Sequence, residues 1–462
     1  MVQWRRWTVG RCVAMLERMT LRNFKSWRDV CLDLKPVTLV FGANSSGKTA
    51  LLDALVMLKQ TAESNDRGLS ISYGWPYVDL GSFGDVIHRR EEDRELGIEL
   101  RWRPRQDVVL REEDDEGPRV TAKAIQYTGA WRRSEDVALS LLEYRTDEVQ
   151  MRLTRRSDGK YRTVVTGPPP VAKKRVGRSW PLPNPESCYA LPRQVARDWP
   201  HADLLEFNHQ FELLMDRIRY LGPLREPPRR VYQWTGEAPS MVLPDGTGAV
   251  DALVADARYT HRRPKQRGSR VGLVAQVAQW LQKLGLTDAF SVRPVGDGGR
   301  LYEVWVRAPG AATESLLPDV GFGLSQLLPV LVQLQFAPEG SILLFEQPEL
   351  HLHPGIEALL ADLFLEVAFQ RNLQVIVESH SEYLLTRLQR HVAEAVKPYA
   401  SPANIALYFC ELRDGESRRT PLSVNLLGEI ANWPDGFFGD SIGDLEAMTA
   451  AIVRRERERE AS

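Results

Sequence analysis

The sequence predicts an α/β fold that combines a parallel sheet with an antiparallel β subdomain and an inserted, mainly helical segment. In the last third of the chain, strand-length apolar runs alternate with helix-length runs, which is typical of a parallel sheet. Between about residues 95 and 166, short segments alternate apolar and polar residues and end at turn residues, as in an antiparallel meander. Near residue 42, a continuous apolar strand leads directly into a glycine-rich loop and a helix.

The N-terminal part is predicted to form short strands followed by a helix. Residues 19–27 (MTLRNFKSW) and 29–42 (DVCLDLKPVTLVFG) have strand patterns, and the apolar run 37–41 is expected to be buried on both faces. From Thr49 onward, leucines and Met57 recur at helical spacing.

The later elements are read from the same two periodicities. Residues 204–221 predict a helix, and residues 271–286 predict an amphipathic helix that ends at Gly285. The last third then predicts, in order, a helix from 325–335, a strand 341–345, a helix after Pro354, a strand 373–377, a helix 381–392 and a strand 404–409.

Composition indicates a globular chain without a strong charge preference. The 462 residues are 43% hydrophobic, which is enough for a large core, and 60 basic residues balance 61 acidic ones to a net charge of -1. The total charge therefore neither favours nor excludes a nucleic-acid partner. Four cysteines without ligand spacing exclude a zinc or disulfide framework, and they are Cys12, Cys31, Cys188 and Cys410.

A cytoplasmic protein is the expectation. No apolar run approaches the ~20 residues that a membrane helix needs, and the first residues lack a long apolar signal segment. Met15 and Met19 precede the first patterned strand, so residues 1–14 are expected to be a dispensable, disordered extension. The alternative is a basic arm.

The glycine-rich loop carries the most specific motif. Residues 42–49 (GANSSGKT) match G-x-x-x-x-G-K-[ST] in full, between a predicted strand and a predicted helix. In such loops, backbone N–H groups wrap phosphates, the lysine reaches the outer phosphates, and the hydroxyl can ligate magnesium. The sequence therefore predicts an ATP and Mg²⁺ site formed by Gly42, Asn44, Ser45, Ser46, Gly47, Lys48 and Thr49.

Polar residues that follow two later strands are expected at the same edge of the sheet. The strand 341–345 should lie beside the loop strand, so Glu346 at its end is predicted to hold magnesium directly or through water. His380 follows the next apolar strand and is predicted to sense the γ-phosphate; a surface histidine is the alternative. His351 and His353 are expected at a helix start rather than on a metal.

Residues 319–331 (DVGFGLSQLLPVL) predict a second anion-binding helix start. Two glycines precede Ser325, which is expected to open an apolar helix together with Gln326. Because the chain already has a phosphate loop, this second site is predicted to cap the nucleotide of another copy.

The motifs, in this order, resemble the ABC-type ATPases of the chromosome-maintenance and recombination-repair kind. More narrowly, the chain is similar to prokaryotic AAA/OLD-like ATPases that end in a domain of unknown function (number 3696). The first resemblance rests on RNFKSW, GANSSGKT, GFGLSQ, LLFEQPELHLHP and ESHS, and the second on KQTAES, VDLGSFGDVIH, YLGPLREPPRRVY, EQPELHLHP and GEIANWPDGFF.

The resemblance implies a P-loop NTPase fold of ABC type and a role for each matching residue. It implies that Lys48 and Thr49 bind triphosphate and magnesium, that Glu346 is the Walker B acid and that His380 is the switch histidine. Ser325 and Gln326 would contact the partner subunit's nucleotide, while Asn23 and Lys25 would lie near the chain's own nucleotide. The implied segments are 1–14, an extension; 15–60, the N-terminal ATPase part; 61–170, the β-rich subdomain; 171–285, an inserted helical and basic segment; 286–400, the C-terminal ATPase part; and 401–462, a C-terminal segment.

Gln347 departs from the repair-type pattern, which has a water-activating glutamate at this position. An amide cannot accept a proton at neutral pH, so general-base help, worth typically about 10² to 10⁴-fold, should be missing. Glu349 and His380 are the candidates to replace it. The hypothesis is slow turnover by an ATP-held homodimer.

Three functions remain open at this point. The favoured one is a switch in DNA repair or anti-phage defence that works with a separate effector protein, without a nuclease in this chain. A nucleotide-gated scaffold is the alternative, and a transporter subunit is disfavoured by GFGLSQ and NWPDGFF. The basic residues that would contact nucleic acid are Lys173, Lys174, Arg175, Arg178, Arg262, Arg263, Lys265 and Arg267; solvated loops are the alternative. Trp433, Pro434, Phe437 and Phe438 predict a packed lid or a docking site.

Overall fold

A computed structural model describes residues 15–66, 68–112, 118–176, 182–262, 271–296, 299–396, 400–433, 448–449 and 451–452, with only the backbone for 260–262. The β-strands are β1 (Met15–Phe24), β2 (Trp27–Asp33), β3 (Val37–Gly42), β4 (Leu96–Arg103), β5 (Val108–Arg111), β6 (Val120–Ala122), β7 (Ile125–Arg133), β8 (Val137–Arg145), β9 (Gln150–Arg155), β10 (Tyr161–Thr166), β11 (Ile218–Leu221), β12 (Tyr232–Gln233), β13 (Ala289–Val295), β14 (Leu301–Arg307), β15 (Ser315–Leu316), β16 (Ile342–Glu346), β17 (Gln374–Glu378), β18 (Ile405–Arg413) and β19 (Glu416–Pro421). The α-helices are α1 (Lys48–Ala62), α2 (Phe83–Val86), α3 (Gln194–Asp198), α4 (Glu206–Arg217), α5 (Ala249–Arg262), α6 (Leu273–Lys283), α7 (Phe322–Phe336), α8 (Pro354–Arg371) and α9 (Glu382–Glu394).

A six-stranded sheet forms the centre of the fold, in the order β11-β16-β17-β3-β18-β19. The first five strands are parallel, and β19 is antiparallel to β18. Side chains at alternate positions enter two separate cores: Leu344 and Ile376 pack on the side of α1 and α4, while Leu343 and Val375 pack on the side of α5 to α9. Both faces of the central strands are therefore buried, as a parallel sheet requires.

A seven-stranded antiparallel sheet lies on the α1 side of the central sheet, in the order β10-β9-β8-β7-β4-β1-β2. The meander predicted between about residues 95 and 166 is confirmed as β4 and β7 to β10. The structure adds β1 and β2 to the same sheet through antiparallel pairing of β1 with β4. The residues before the glycine loop and the β-rich segment thus share one sheet.

The structure corrects two predictions about the central sheet. The strand 341–345 does not lie beside the loop strand, because β17 pairs in parallel with both β16 and β3 and separates them. The helix predicted for 204–221 ends at Arg217, and Ile218–Leu221 is the edge strand β11. Those four residues are all buried, so tertiary burial overrides the helical periodicity.

The remaining elements of the last third agree with the sequence patterns, namely β16, α8, β17, α9 and β18. α6 stops at Lys283, and Gly285 follows with a φ of 69° that favours glycine. His353 caps α8, since its Nδ1 accepts a hydrogen bond from Gly355 N at 3.2 Å. In the described part of the chain, no helix is long and apolar enough to cross a membrane.

A buried ion pair fixes α8 against α9. Arg387 donates from Nε and Nη2 to the two Asp362 oxygens at 3.1 and 2.9 Å, and His391 Nε2 contacts the same carboxylate. Burial alone would raise the pKa of Asp362, but His391 and Arg387 outweigh it and hold that pKa well below its usual range. The carboxylate therefore stabilises the folded state when it is ionised.

We expect Asp362→Asn to lower the free energy of unfolding by about 1–3 kcal/mol at neutral pH, because Arg387 loses a buried charged partner. A depressed pKa adds stability above the unfolded value, so the difference from wild type should shrink as pH falls below about 4. Urea unfolding of both proteins across this pH range measures the difference in their free energies of unfolding. Glu394→Gln, at an exposed pair with Arg390, is the control and should leave the midpoint unchanged; an Asp362→Asn midpoint equal to wild type would contradict the account.

Candidate functional site

The glycine loop lies between β3 and α1, at the carboxyl end of the parallel strands. Gly42 has a φ of 145°, and a Cβ there would lie 2.0 Å from the Cys410 carbonyl oxygen. Lys48 is 3% exposed, and its Nζ donates to the carbonyl oxygens of Gly42 at 3.1 Å and Ala43 at 2.7 Å. The ammonium is therefore folded back onto its own loop.

The outer side of the loop is exposed, while its base is held by neighbouring strands. Asn44, Ser45 and Thr49 are exposed, whereas the Ser46 Oγ is buried and has no hydrogen-bond partner. At the base, Trp27 Nε1 donates to the Gly47 carbonyl oxygen at 2.9 Å. The loop thus presents polar groups outward from a fixed base.

Two buried carboxylates face the start of α1 from the ends of neighbouring strands. Glu346 ends β16, Glu378 ends β17, and the two residues are paired in register. They are 4% and 3% exposed. Thr49 Oγ1 lies 2.9 and 3.1 Å from the two Glu378 oxygens, and Lys48 Nζ lies 3.9 Å from Glu378 Oε1. Glu346 accepts a hydrogen bond from the Tyr220 hydroxyl at 2.8 Å.

The electrostatics of this pair favour a cation. Burial, followed by the charges of Glu378 and Asp53, raises the pKa of Glu346 to about 8. Burial also raises the pKa of Glu378, although Thr49 and Lys48 lower it in part. Both carboxylates therefore lack enough compensating charge within the protein.

The residues present fit a magnesium ion that is bound together with phosphate. Mg²⁺ in phosphate sites is held by one or two carboxylates or hydroxyls and by phosphate oxygens. Thr49, Glu346 and Glu378 supply such a set. Among the described residues there is no group of three or more histidine, cysteine or acidic side chains arranged to hold a metal by themselves.

The two residues before the loop that were expected near the nucleotide make different contacts. Lys25 Nζ pairs with Asp53 Oδ2 of α1 at 2.6 Å, which ties it to the helix that follows the loop. Asn23 Nδ2 donates instead to the Glu95 carbonyl oxygen at 2.8 Å, at the start of β4. Of the two side chains, Lys25 has the direct link to α1.

Gln347 and Glu349 lie on the turn that follows β16. Gln347 has a φ of 43°, and its N–H donates to the Glu378 carbonyl oxygen at 2.9 Å. Glu349 is 8% exposed and accepts hydrogen bonds from Ser379 Oγ at 2.8 Å and from His380 N at 2.7 Å. Glu349 thus fixes the backbone of the histidine turn, and its Oε2 is buried without a partner.

His380 lies beside the glycine loop. Burial and then the Lys48 ammonium lower the pKa of His380, so the imidazole is neutral at pH 7. Its Nε2 is buried and has no hydrogen-bond partner. A neutral ring nitrogen near Lys48 remains available to a phosphate or a water.

The helix of the GFGLSQ motif begins earlier than predicted. α7 starts at Phe322, so Ser325 lies inside the first turn, where its Oγ donates to the Phe322 carbonyl oxygen at 2.7 Å. Gly321 is the N-cap residue of this helix. Gly323 is required by packing, since a Cβ there would lie 2.7 Å from the His351 carbonyl oxygen. Gln326 is 2% exposed, and its Nε2 has no partner.

Sequence reasoning missed three residues of the site. Arg225 is 7% exposed and donates to the carbonyl oxygens of Gln326 at 3.1 Å and Glu346 at 3.3 Å. Tyr220 belongs to the strand that was read as helix. Glu378 follows an apolar strand in the same way as Glu346, so the same argument from strand ends would have found it.

The predicted basic contacts are described only in part. Lys173, Lys174 and Arg175 are exposed, and Lys174 pairs with Asp198 at 3.4 Å and lies over the Trp199 ring. The Arg262 side chain and residues Arg178, Arg263, Lys265 and Arg267 lie outside the described part, as do Pro434, Phe437 and Phe438. Trp433 is 45% exposed.

The strand, glycine loop and helix, with acidic residues at the ends of neighbouring parallel strands, define a P-loop NTPase. Known sequence families match three parts of the chain: "AAA ATPase domain" at residues 15–123, "AAA domain, putative AbiEii toxin, Type IV TA system" at 258–386, and "Protein of unknown function (DUF3696)" at 401–448. Models of AAA ATPase domains thus match two parts of the chain, and a DUF3696 model matches a C-terminal part, as its motifs predicted.

Solved structures with some likeness to this chain are SMC head domains. The head bound to the C-winged helix domain of ScpA is 14% identical, with a TM-score of 0.44 over 89% of this chain and 98% of that one. The head from Thermotoga maritima is 14% identical, with a TM-score of 0.38 over 88% and 99%. The third structure is an Smc head domain with an extended coiled coil, bound to the C-terminal domain of ScpA derived from Pyrococcus furiosus. It is 13% identical, with a TM-score of 0.41 over 89% of this chain and 96% of that one. No curated protein matches the chain.

We expect Gly47→Ala to weaken ATP binding at least about tenfold, because Gly47 has a φ of 90° and its new Cβ would lie 2.4 Å from Ser417 Oγ. Titration of the purified protein with a fluorescent ATP analogue measures this affinity. Gly74→Ala is the matched control, since a Cβ there meets no atom within 4 Å. Equal ATP affinities for the two variants would show that nucleotide binding does not require a glycine at position 47.

Proposed function

We propose that this protein is an ATPase of low turnover that dimerises on ATP and acts as a switch. The observation that carries the proposal is the contact of Lys48 and Thr49 with Glu378, which lies in register with Glu346, together with an amide, Gln347, directly after the Walker B acid. Such a site has the groups that bind a metal–triphosphate complex, but it lacks a glutamate at the position that activates water.

Binding requires Lys48 and Thr49 to exchange their present partners for phosphate and metal. Bound Mg²⁺ and the triphosphate would supply positive charge and phosphate oxygens at the end of α1. α1 begins at Lys48, and the first backbone N–H groups of a helix have no acceptor within the helix, so this end favours an anion. Lys48 Nζ gives up the Gly42 and Ala43 carbonyl oxygens to reach phosphate, and Thr49 Oγ1 gives up Glu378 to reach the metal.

Slow hydrolysis follows from the groups around the attacking water. Gln347 orients a water by hydrogen bonding but cannot take its proton. Glu349 is the nearest acid in sequence. Its carboxylate accepts hydrogen bonds from Ser379 Oγ and His380 N, so it is already engaged by the turn that carries His380. His380 is neutral with a free Nε2, so it is the residue we assign to contact the γ-phosphate.

Dimerisation on ATP is supported by the start of α7. Ser325 and Gln326 are the fourth and fifth residues of a 15-residue helix whose N-terminal dipole favours an anion. In the proposed homodimer, this turn faces the nucleotide held by the glycine loop of the other copy. Arg225 links the Gln326 carbonyl oxygen to the end of β16. Nucleotide bound at one site of the proposed homodimer would therefore affect the other site.

We place this switch in DNA repair or anti-phage defence in the cytoplasm, together with a separate effector protein and without a nuclease in this chain. The resemblance to repair-type and OLD-like ATPases supports the setting. Contact with nucleic acid through Lys173, Lys174 and Arg175, and through Arg262 and Arg263, belongs to the same proposal.

The second candidate function is a scaffold that binds ATP without useful hydrolysis. Gln347 favours it, because the amide removes the general base. The intact Lys48, Glu346 and His380 favour hydrolysis, because a scaffold needs no γ-phosphate sensor.

We expect wild-type turnover to be slow but clearly above that of Lys48→Ala, while Gln347→Glu is faster by about 10-fold or more, because it restores a carboxylate that accepts the proton of water. Phosphate release measures turnover, and light scattering in ATP measures the mass. ATP should double the wild-type mass, and Gln347→Glu should shorten the life of the dimer.

Lys48→Ala is the control for loss of triphosphate binding. If wild type matches Lys48→Ala in turnover but still binds ATP, the chain is a gated scaffold. If Gln347→Glu leaves turnover unchanged, the missing base is not what limits the rate.

A further inference from the structure

Glu378 is the first residue of the ESHS motif and occupies a central position in the proposed nucleotide site, but no role for it was predicted from the sequence. It ends β17, which lies between the loop strand β3 and the Walker B strand β16. Its two oxygens lie 2.9 and 3.1 Å from Thr49 Oγ1, so it holds the hydroxyl that is expected to ligate magnesium. The contact is made by a side chain with only 3% exposure.

Acidic side chains outnumber basic ones around Glu378. Asp53, Glu346 and Glu378 contribute three carboxylates, and Lys25 and Lys48 contribute two ammonium groups. Lys25 is paired with Asp53 at 2.6 Å, and Lys48 is 3.9 Å from Glu378 while it binds two loop carbonyls. Glu346 receives a hydrogen bond from Tyr220, which is neutral.

A triphosphate alone would make this imbalance worse. Its negative charges would draw Lys48 away from Glu378 and would lie close to both strand-end carboxylates. A divalent cation between phosphate and carboxylate removes the repulsion, and Thr49 is then released from Glu378 to join the metal ligands.

We propose that Glu378 is a second magnesium-site carboxylate beside Glu346, and that it makes nucleotide binding depend on a divalent cation. The inference rests on the proposed ATP site. Without metal, the Glu378 carboxylate repels the triphosphate and keeps Thr49 occupied. With Mg²⁺, the same carboxylate binds the ion directly or through water.

The test is the affinity for a non-hydrolysable imido analogue of ATP, measured by calorimetry on the full chain, in excess Mg²⁺ and in EDTA. In wild type, Mg²⁺ should strengthen binding strongly. In Glu378→Gln, binding in EDTA should become about tenfold tighter while the gain from Mg²⁺ falls by about tenfold or more, since one buried charge is removed. Glu378→Asp keeps the charge and should keep the magnesium dependence.

Glu143→Gln is the matched control, because Glu143 is also buried, at 7% exposure, but pairs with Arg152 in the antiparallel sheet. Its gain from Mg²⁺ should equal that of wild type. If the gain in affinity that Mg²⁺ gives Glu378→Gln stays within twofold of the wild-type gain, the assignment of Glu378 is overturned, while the proposed ATP site is not. A wild-type protein that binds the analogue under neither condition overturns the proposed ATP site as well.

Discussion

The contact of Glu378 with Thr49 and Lys48 at the start of α1, beside the buried Glu346, is the interaction on which the rest of the site depends. Burial of two acids side by side is unfavourable, and the raised pKa of Glu346, about 8, reflects that cost. Neighbouring parallel strands bring the acids together because their carboxyl ends meet at one edge of the sheet. Lys48 and Thr49 lie opposite them because the glycine loop starts α1 at that edge.

A second layer of residues fixes this arrangement. Tyr220 at the edge strand β11 orients Glu346, and Arg225 joins the end of β16 to the N-terminal half of α7. Burial lowers the pKa of Arg225 to about 10, so the guanidinium stays charged at neutral pH. Its hydrogen bonds to two carbonyl oxygens link β16 to the helix that carries Ser325.

Local patterns predicted much of this fold. The local signals were the motif at residues 42–49 and the apolar runs before Glu346 and His380. They predicted the class of fold and most of the later elements. Strand order did not, because the register of β17 between β3 and β16 is set by long-range pairing. β11 was missed because four buried residues after a helix continue its apolar spacing. Arg225 was missed because its partners are backbone carbonyls distant in sequence.

The most direct test of the account is a crystal structure with Mn²⁺ and the imido analogue of ATP, in which anomalous scattering locates the metal. The account predicts one manganese per triphosphate, bound by Thr49 Oγ1 on the side of Glu346 and Glu378, with Lys48 turned from the Gly42 carbonyl oxygen to phosphate. A nucleotide bound away from residues 42–49, or a Thr49 that keeps its hydrogen bond to Glu378 while nucleotide is present, would contradict it.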